Sequence, residues 1–191
     1  YKSRLNFDRV RQRYFAAHPM NRISIETDDV LRELFEFGLV VLPNYFDAEL
    51  IRAIHSQAFD IAQRVKAGNA QPDWKALIYS DDGIYRVGDI DKVVPLARPV
   101  IEDEKLLGIA RRYLGAPFRT QSNYLDFKPD IGKHDYTTVP HMDTWTSQIK
   151  IFTLLVDVDE HTAPFVYWRR SHRDMAWRRD LDYLNFTESE L

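Results

Sequence analysis

The chain has 191 residues, a formal net charge of -3 and a sequence pI of about 6.1. This length fits a single domain with a sizeable core, and the slightly acidic balance gives no electrostatic reason to expect a nucleic-acid partner. The chain contains no Cys. Disulfides, thiolate nucleophiles and Cys-based zinc sites are therefore excluded, and a bound metal must be held by His and carboxylate side chains, which favours a hard metal such as iron or manganese.

The sequence shows neither a membrane segment nor a secretion signal. Its longest apolar runs fall well below the roughly 18 residues that a spanning helix needs, and no charged-then-apolar stretch opens it. We therefore predict a cytoplasmic protein without a membrane partner. Position 1 is Tyr rather than Met, which predicts that the sequence is trimmed from a longer chain.

The first half of the chain is predicted to be mainly helical. Thr27 is a suitable N-cap for a short helix over about 28–37, and Gly38 stands where that helix should stop. Apolar residues at three- and four-residue spacing predict a second helix between an Asp cap and a Gly stop over 47–68. The same pattern predicts a third helix over about 99–113.

Strand signals dominate the second half. A short buried strand is predicted over 39–43, and the mixed stretch 69–94 predicts loops with short strands. Residues 118–127 alternate between polar and apolar, and 149–158 form an apolar run rich in β-branched residues. Helices that precede strands favour an α+β fold with an antiparallel sheet over alternating βαβ units.

One short motif has the spacing of a metal site. His141 and Asp143 are two residues apart in an extended segment, so their side chains point the same way. An imidazole nitrogen and a carboxylate oxygen form two thirds of the 2-His-1-carboxylate triad that holds Fe(II) and leaves positions open for O2 and a co-substrate. The bare pattern is weak evidence, because the chain has a second example at 172–174.

Four segments follow one another in a characteristic order. They are a strand that ends in Lys-Pro at 121–129, the His-x-Asp segment at 141–145, the apolar run with an acidic turn at 151–159, and the Pro-then-Ser-His segment at 163–173. Together they resemble the phytanoyl-CoA dioxygenase-like (PhyH) branch of the Fe(II)- and 2-oxoglutarate-dependent oxygenases. The resemblance covers 118–175 closely and depends on order and spacing rather than on a single motif.

The resemblance implies an α+β fold with a double-stranded β-helix (jelly-roll) core and N-terminal helices packed outside it. The chain would be a single oxygenase domain over 1–191, with a helical part over about 1–115 and the start of the jelly roll over about 116–191, incomplete at its C-terminus. The resemblance also implies Fe(II), 2-oxoglutarate and O2. The implied reaction couples oxidative decarboxylation of 2-oxoglutarate to hydroxylation of an unactivated C–H bond in a small molecule.

Individual roles follow from the resemblance residue by residue. His141 and Asp143 match the first two iron ligands and form the predicted catalytic centre. Lys128 matches a lysine that pairs with a carboxylate of 2-oxoglutarate in some members, and an ammonium is a strong partner for a carboxylate where water is excluded. Trp145 would shape the substrate mouth. Three further residues are expected to contact the co-substrate: Gln121, Asn123 and Thr153.

The chain departs from the family pattern at two turns and at the third ligand. Where the family has Gly, this chain has Ala163 and Arg170, so a positive φ at either turn would be strained. The third iron ligand of the family is a His on a much later strand. It is not identifiable here, because His161 and His172 are the only histidines after Asp143, and His172 matches a family position that is not a ligand. The Arg that clamps the far carboxylate of 2-oxoglutarate is not identifiable either.

Two other classes of function stay open. The missing ligand and Arg170 would also suit a non-catalytic jelly-roll binding protein with a degenerate metal site. A cupin-type metal isomerase or hydrolase would share the architecture without the co-substrate, and Lys128 separates the two readings, because only the oxygenase needs a cation for a dicarboxylate. A kinase catalytic loop at 172–174 is excluded, since Arg179 stands where that loop needs Asn and no glycine-rich loop is present.

Overall fold

The computed structural model describes residues 2–17, 27–69, 71, 76–79, 84–115, 123–127, 141, 148–162, 164–173, 177–180 and 182–183. Its helices and strands follow in chain order as α1 (Lys2–Ala17), α2 (Asp29–Phe37), α3 (Ala48–Lys66), β1 (Ala76–Tyr79), β2 (Ile84–Gly88), α4 (Ile90–Val93), a 3-10 helix (Pro95–Ala97), α5 (Arg98–Ile101), α6 (Glu104–Leu114) and β3 (Tyr124–Phe127). Residues 177–180 and 182–183 are also helical.

The first predicted helix is confirmed as α2, with its N-cap one residue later than expected. Asp28 rather than Thr27 is the N-cap, and its Oδ1 accepts hydrogen bonds from the backbone N–H groups of Val30 and Leu31 at 3.0 and 3.2 Å. A carboxylate is also favoured over a hydroxyl beside the positive end of the helix dipole. The bond from Leu31 is the main cause that lowers the pKa of Asp28. Gly38 ends the helix as predicted, with φ of 76°.

The second predicted helix is confirmed as α3. Asp47 caps it, with Oδ1 accepting from the backbone N–H groups of Glu49 and Leu50 at 2.9 and 3.0 Å. The helix ends shortly before Gly68, whose φ is 74°. Its apolar spacing gives one buried face, formed by Ile54, Ala58, Ile61, Ala62 and Val65.

The predicted helix over 99–113 is wrong as a single element, because the chain forms α5 and α6 with a break at Asp103. Asp103 has an extended backbone, and its Oδ1 accepts from the N–H of Leu106 at 2.8 Å, so it caps a new helix instead of continuing the old one. The hydroxyl of Tyr45 donates to the same oxygen at 2.9 Å. Apolar spacing continues across the break and does not reveal it. Gly115 ends α6 with φ of 68°.

The three strands form an antiparallel sheet in the order β1-β2-β3. Short strands within 69–94 are therefore confirmed, and β3 is the end of the stretch predicted over 118–127. In the β2–β3 ladder Arg86 lies opposite Asp126, and Val87 lies opposite Leu125. Successive residues point to opposite faces of the sheet, so each strand presents one face to the core and one to the outside.

Two hydrophobic clusters form the core. One joins α3 to the sheet and to the segment around α4. The other joins α2 to α6, where the rings of Phe35 and Tyr113 stack with centroids 5.0 Å apart. The buried members of the first cluster are Ile54, Ile61, Val65, Val87, Ile90, Val94 and Ala97, and those of the second are Leu31, Leu34, Phe35, Leu106, Ile109 and Tyr113.

Two predicted strands are not found among the residues that the structure describes. Residues 39–42 belong to no strand, and the side chain of Val41 is 71% exposed. Residues 149–158 likewise carry no strand assignment, and several of their apolar side chains are exposed. A strand exists only where a neighbouring strand completes its backbone hydrogen bonds, and no described strand pairs with either run.

The first helix packs against residues near the other end of the chain. The rings of Phe7 and Tyr183 meet edge to face with centroids 5.4 Å apart. Beside them, Arg178 and Asp182 are both buried and form an ion pair at 3.0 Å. The contact between Phe7 and Tyr183 therefore joins α1 to residues near the C-terminal end of the described chain.

No described helix combines the length and the apolar character needed to cross a membrane. The described residues combine helices with an antiparallel sheet of three strands. The jelly-roll core and a division of the single domain near residue 115 stay predictions.

Candidate functional site

The structure describes some of the predicted site residues. His141 is exposed, Asn123 is half-buried directly before β3, and Thr153 is half-buried within the apolar run 149–158. Asp143 lies outside the described residues, so its pairing with His141 stays a prediction. The predicted roles of three more residues outside the described chain also stay predictions: Lys128, Gln121 and Trp145.

Asn123 lies at the point where β2 and β3 cease to pair. Its carbonyl oxygen accepts a hydrogen bond from the backbone N–H of Asp89 at 3.0 Å. Asp89 has φ of 51°, a conformation that Asp tolerates better than most residues. The Oδ1 atom of Asn123 is buried and has no hydrogen-bond partner among the described residues. A buried amide oxygen without a partner costs about 1–3 kcal/mol, so a donor at this point would be stabilising.

A charged pair lies on the outward face of the same two strands. Arg86 donates to both carboxylate oxygens of Asp126, from Nε to Oδ1 at 2.6 Å and from a terminal nitrogen to Oδ2 at 2.7 Å. The guanidinium also lies over the ring of Tyr124, 4.0 Å from its centroid. The geometry is the bidentate form that gives Arg–carboxylate pairs their directional specificity.

The segment around Thr153 is apolar and largely uncovered. Phe152 is 55% exposed, and its ring lies 4.7 Å from that of Phe165. In the following segment, the rings of Trp168 and Trp177 are 5.4 Å apart. Thr153 is the single hydroxyl within 151–156, which is why it remains a candidate for a polar contact inside an otherwise apolar surface.

A second polar arrangement holds the segment 167–173 on the end of α2. The ring of His172 is buried, with Nε2 at 2.9 Å from the carbonyl oxygen of Phe35. This contact requires an Nε2–H donor, since a carbonyl oxygen only accepts. Gly38 lies beside the ring, and a Cβ there would overlap both the Tyr167 hydroxyl and His172. Burial lowers the pKa of His172, because a charged imidazolium would lose its hydration.

Arg170 has φ of 68°, so the chain keeps a positive φ at this turn without Gly, the conformation expected to be strained for a residue with a side chain. Its backbone N–H donates to the carbonyl oxygen of Phe37 at 2.8 Å, and its guanidinium donates to Glu36 at 3.0 Å. These contacts oppose a conformational cost of about 1–2 kcal/mol for a side chain in this region. The turn therefore holds the His172 ring against the C-terminal end of α2. Ala163, the other departure, lies outside the described residues.

Within the described part of the chain, no three His, Cys, Asp or Glu side chains are grouped so as to hold a metal ion. The Nε2 atom of His172 is engaged with the backbone carbonyl of Phe35, and the resemblance assigns this residue no ligand role. The candidate donors are therefore still His141 and the carboxylate two positions later. An imidazole nitrogen and a carboxylate oxygen suit Fe(II), and the chain has no thiolate to offer a softer metal. The donor chemistry thus fits the predicted iron.

Sequence reasoning assigned no role to Arg86 or Asp126. The alternation over 118–127 places Asp126 on the polar face of its strand, but it does not name a partner 40 positions earlier in the chain. The contact between His172 and Phe35 spans an even longer separation. Strand register and helix docking decide both pairs, and neither leaves a local signal in the sequence.

No protein-family model matches this chain, and no solved structure matches it. The chain is similar to the ectoine dioxygenase of Stutzerimonas stutzeri (strain A1501), with 25% identity over 165 residues. That match covers 80% of this chain and 54% of the relative, so the chain spans about half the length of that curated protein. The chain is thus a distant relative of a dioxygenase, and an oxygenase is the class of enzyme that this similarity supports.

Proposed function

We propose that this protein is an Fe(II)- and 2-oxoglutarate-dependent dioxygenase that hydroxylates a C–H bond of a small molecule in a jelly-roll domain. The observation that carries the proposal is the similarity to a dioxygenase over 80% of the chain. The Lys-Pro, His-x-Asp and acidic-turn segments point independently to the same class of enzyme.

In this proposal His141 and Asp143 hold the metal, and a further His outside the identified set completes the triad. Bound iron supplies the activation of O2 that is coupled to decarboxylation of 2-oxoglutarate. Lys128 pairs with a carboxylate of the co-substrate. Trp145 borders the substrate. Three polar side chains orient the co-substrate by hydrogen bonds: Gln121, Asn123 and Thr153.

The structure adds an observation at Asn123. Its buried Oδ1 has no partner among the described residues, and it lies next to the strand that leads to Lys128. A ligand or an ordered water that donates a hydrogen bond here would satisfy that atom. The half-buried amide therefore supports a polar site at this end of β3.

The structure weakens one argument for the alternative, a non-catalytic binding protein. That argument was that Arg170 replaces a Gly of the family and so indicates a degenerate site. In the structure Arg170 keeps the turn, with contacts to Glu36 and Phe37 that stabilise it. These contacts accommodate the replacement locally.

The test is an anaerobic titration of the full natural chain with Fe(II) and 2-oxoglutarate, followed by the weak visible charge-transfer band of the iron chelate. We expect the band in the wild type and its loss in Asp143→Ala and in His141→Ala. His161→Ala is the matched control, because His161 is also an exposed histidine but lies in the acidic turn with Glu160. It should leave the band unchanged.

A wild-type protein without the band would refute the proposal, and so would a band that survives both ligand substitutions. If the band appears, succinate release in air is then measured with candidate substrates. Ectoine is the first to test, because the relative is named for it. Release that depends on the added molecule identifies a substrate.

A further inference from the structure

The Arg86–Asp126 pair has no role in the predicted site. It links β2 to β3, and the predicted site residue Asn123 directly precedes β3. Its side chains are 31% and 35% exposed, and two parallel hydrogen bonds of 2.6 and 2.7 Å join them. The ring of Tyr124 packs beneath the guanidinium. Two parallel bonds restrict orientation as well as distance, which a single Lys–carboxylate contact does not.

The opposite face of the β2–β3 ladder packs against the hydrophobic core. Leu125 of β3 and Tyr85 of β2 pack against the cluster that α3 forms with the sheet. β3 has only four residues, and its described ladder is the one with β2. So short a ladder has few backbone bonds, and cross-strand side-chain pairs then contribute a large share of the preference for one register.

The register of β3 decides where Asn123 points. Asn123 lies one residue before β3, and its carbonyl oxygen is bonded to the N–H of Asp89 at the end of β2. A slip of one residue between the strands would turn every side chain of β3 to the opposite face. It would also move the buried Asn123 amide away from its present position.

We propose that Arg86 and Asp126 are positioning residues for Asn123, which directly precedes β3. They fix the register of β3 on β2 by their bidentate pair and thereby hold Asn123 where 2-oxoglutarate binds, without touching the co-substrate themselves. This inference rests on the proposed function, since it assigns Asn123 to the 2-oxoglutarate site.

The test uses Asp126→Asn, which keeps the side-chain shape and removes the charge, and Arg86→Lys, which keeps the charge and removes the bidentate geometry. In both variants we expect faster hydrogen exchange at the amides of 123–127. We also expect the apparent Kd for 2-oxoglutarate, from the charge-transfer band at saturating Fe(II), to rise roughly 10- to 100-fold, because small misplacements of positioning groups have effects of this size.

Two further variants separate positioning from a general loss of stability. Asp60→Asn removes an equivalent carboxylate from the Arg64–Asp60 pair on α3, and it should leave the apparent Kd unchanged. The charge-swapped double variant Arg86→Asp/Asp126→Arg restores an opposite-charge pair at the same ladder position. It should recover most of the affinity that either single reversal loses.

Wild-type affinity in Asp126→Asn and Arg86→Lys would overturn the inference, and so would faster exchange without any change in affinity. If Asp126→Asn does not fold, Arg86→Lys decides the matter alone. A wild-type protein that gives no band refutes the proposed function instead. The exchange rates, which need no iron, then show separately whether the pair fixes β3.

Discussion

Two regions of this chain, 29–115 and 149–168, both carry many large apolar residues but place them differently. In the first region Leu31, Phe35 and Val65 are at most 1% exposed. In the second, Phe152 and Leu154 are 55% and 60% exposed, and no strand is assigned. The first region therefore buries large apolar side chains in its core, although Val41 and Phe59 in that region are also exposed, whereas the second region has most of its large apolar side chains on the surface.

The difference follows from how each kind of element satisfies its backbone. A helix closes its hydrogen bonds within itself, so α2, α3 and α6 form from local signals and then need only one apolar face to be covered. A strand needs a neighbour for both its backbone and its side chains. In 149–168 the apolar pattern of a strand is present, and the described residues supply no partner strand for it.

The largest expected effect compares two phenylalanines, one in each region. Phe35→Ala should lower the free energy of unfolding by about 3–5 kcal/mol, because a fully buried ring in contact with Tyr113 is lost. Phe152→Ala should cost about 1 kcal/mol or less, since more than half of that side chain is already exposed.

Urea unfolding of both variants measures the difference. Equal losses would contradict the difference between the two regions, because they would mean that Phe152 is as well covered in solution as Phe35. That result would favour a complete sheet around 149–158.

An intermediate effect is expected at Gly38, where the first region contacts residues 167–173. Gly38→Ala adds a Cβ at φ of 76° and in the space of the Tyr167 hydroxyl and the His172 ring. We expect a loss of about 2–4 kcal/mol, from backbone strain together with overpacking. Gly68→Ala is the control, because it has φ of 74° and open space around the added Cβ. It should cost only about 1 kcal/mol.

Thermal and urea unfolding of the two alanine variants give the comparison. Similar losses at both glycines would show that residues 167–173 do not press on the end of α2. A larger loss at Gly38 would locate the contact between the regions at this turn.

The smallest expected effect is a pH dependence from His172. Burial lowers its pKa below the ordinary value of 6.5, with contributions from Arg173 and Arg178, while the Phe35 carbonyl opposes the shift. At a pH between the pKa of His172 in the folded protein and its pKa in the unfolded chain, the unfolded chain binds more protons than the folded protein. The contribution to stability is therefore complete above about pH 6.5, is lost as the pH falls below that value, and levels off below the folded pKa.

His172→Gln removes this titration and keeps an N–H donor for the Phe35 carbonyl. The variant should show a shallower fall in unfolding free energy between pH 7 and pH 5 than the wild type. His55→Gln makes the same chemical change on α3 and is the matched control variant. A wild-type slope in His172→Gln would mean that the buried ring does not govern acid stability.

Sequence patterns predicted the helices well and the strands poorly. Gly38 ends its helix as expected, and Gly115 ends α6 in the same way, because a Gly in the left-handed conformation acts locally. The break at Asp103 was missed, since a cap in the middle of a periodic pattern shows itself only when the backbone turns away. The strand expected over 39–43 was not found, because an apolar run alone does not state whether another strand lies beside it.

For the candidate site, the residue types and their spacing in the sequence define which donor atoms are available to a metal and which class of enzyme they indicate. Without Cys, and with His141 and Asp143 at strand spacing, it restricts a metal to nitrogen and oxygen donors, and the order of its segments points to an oxygenase. Which distant residues are in contact depends instead on the folded chain. The pairing of Arg86 with Asp126 and the seating of His172 on Phe35 depend on strand register and helix docking. Contacts across such separations arise from packing of the whole chain, which no local pattern encodes.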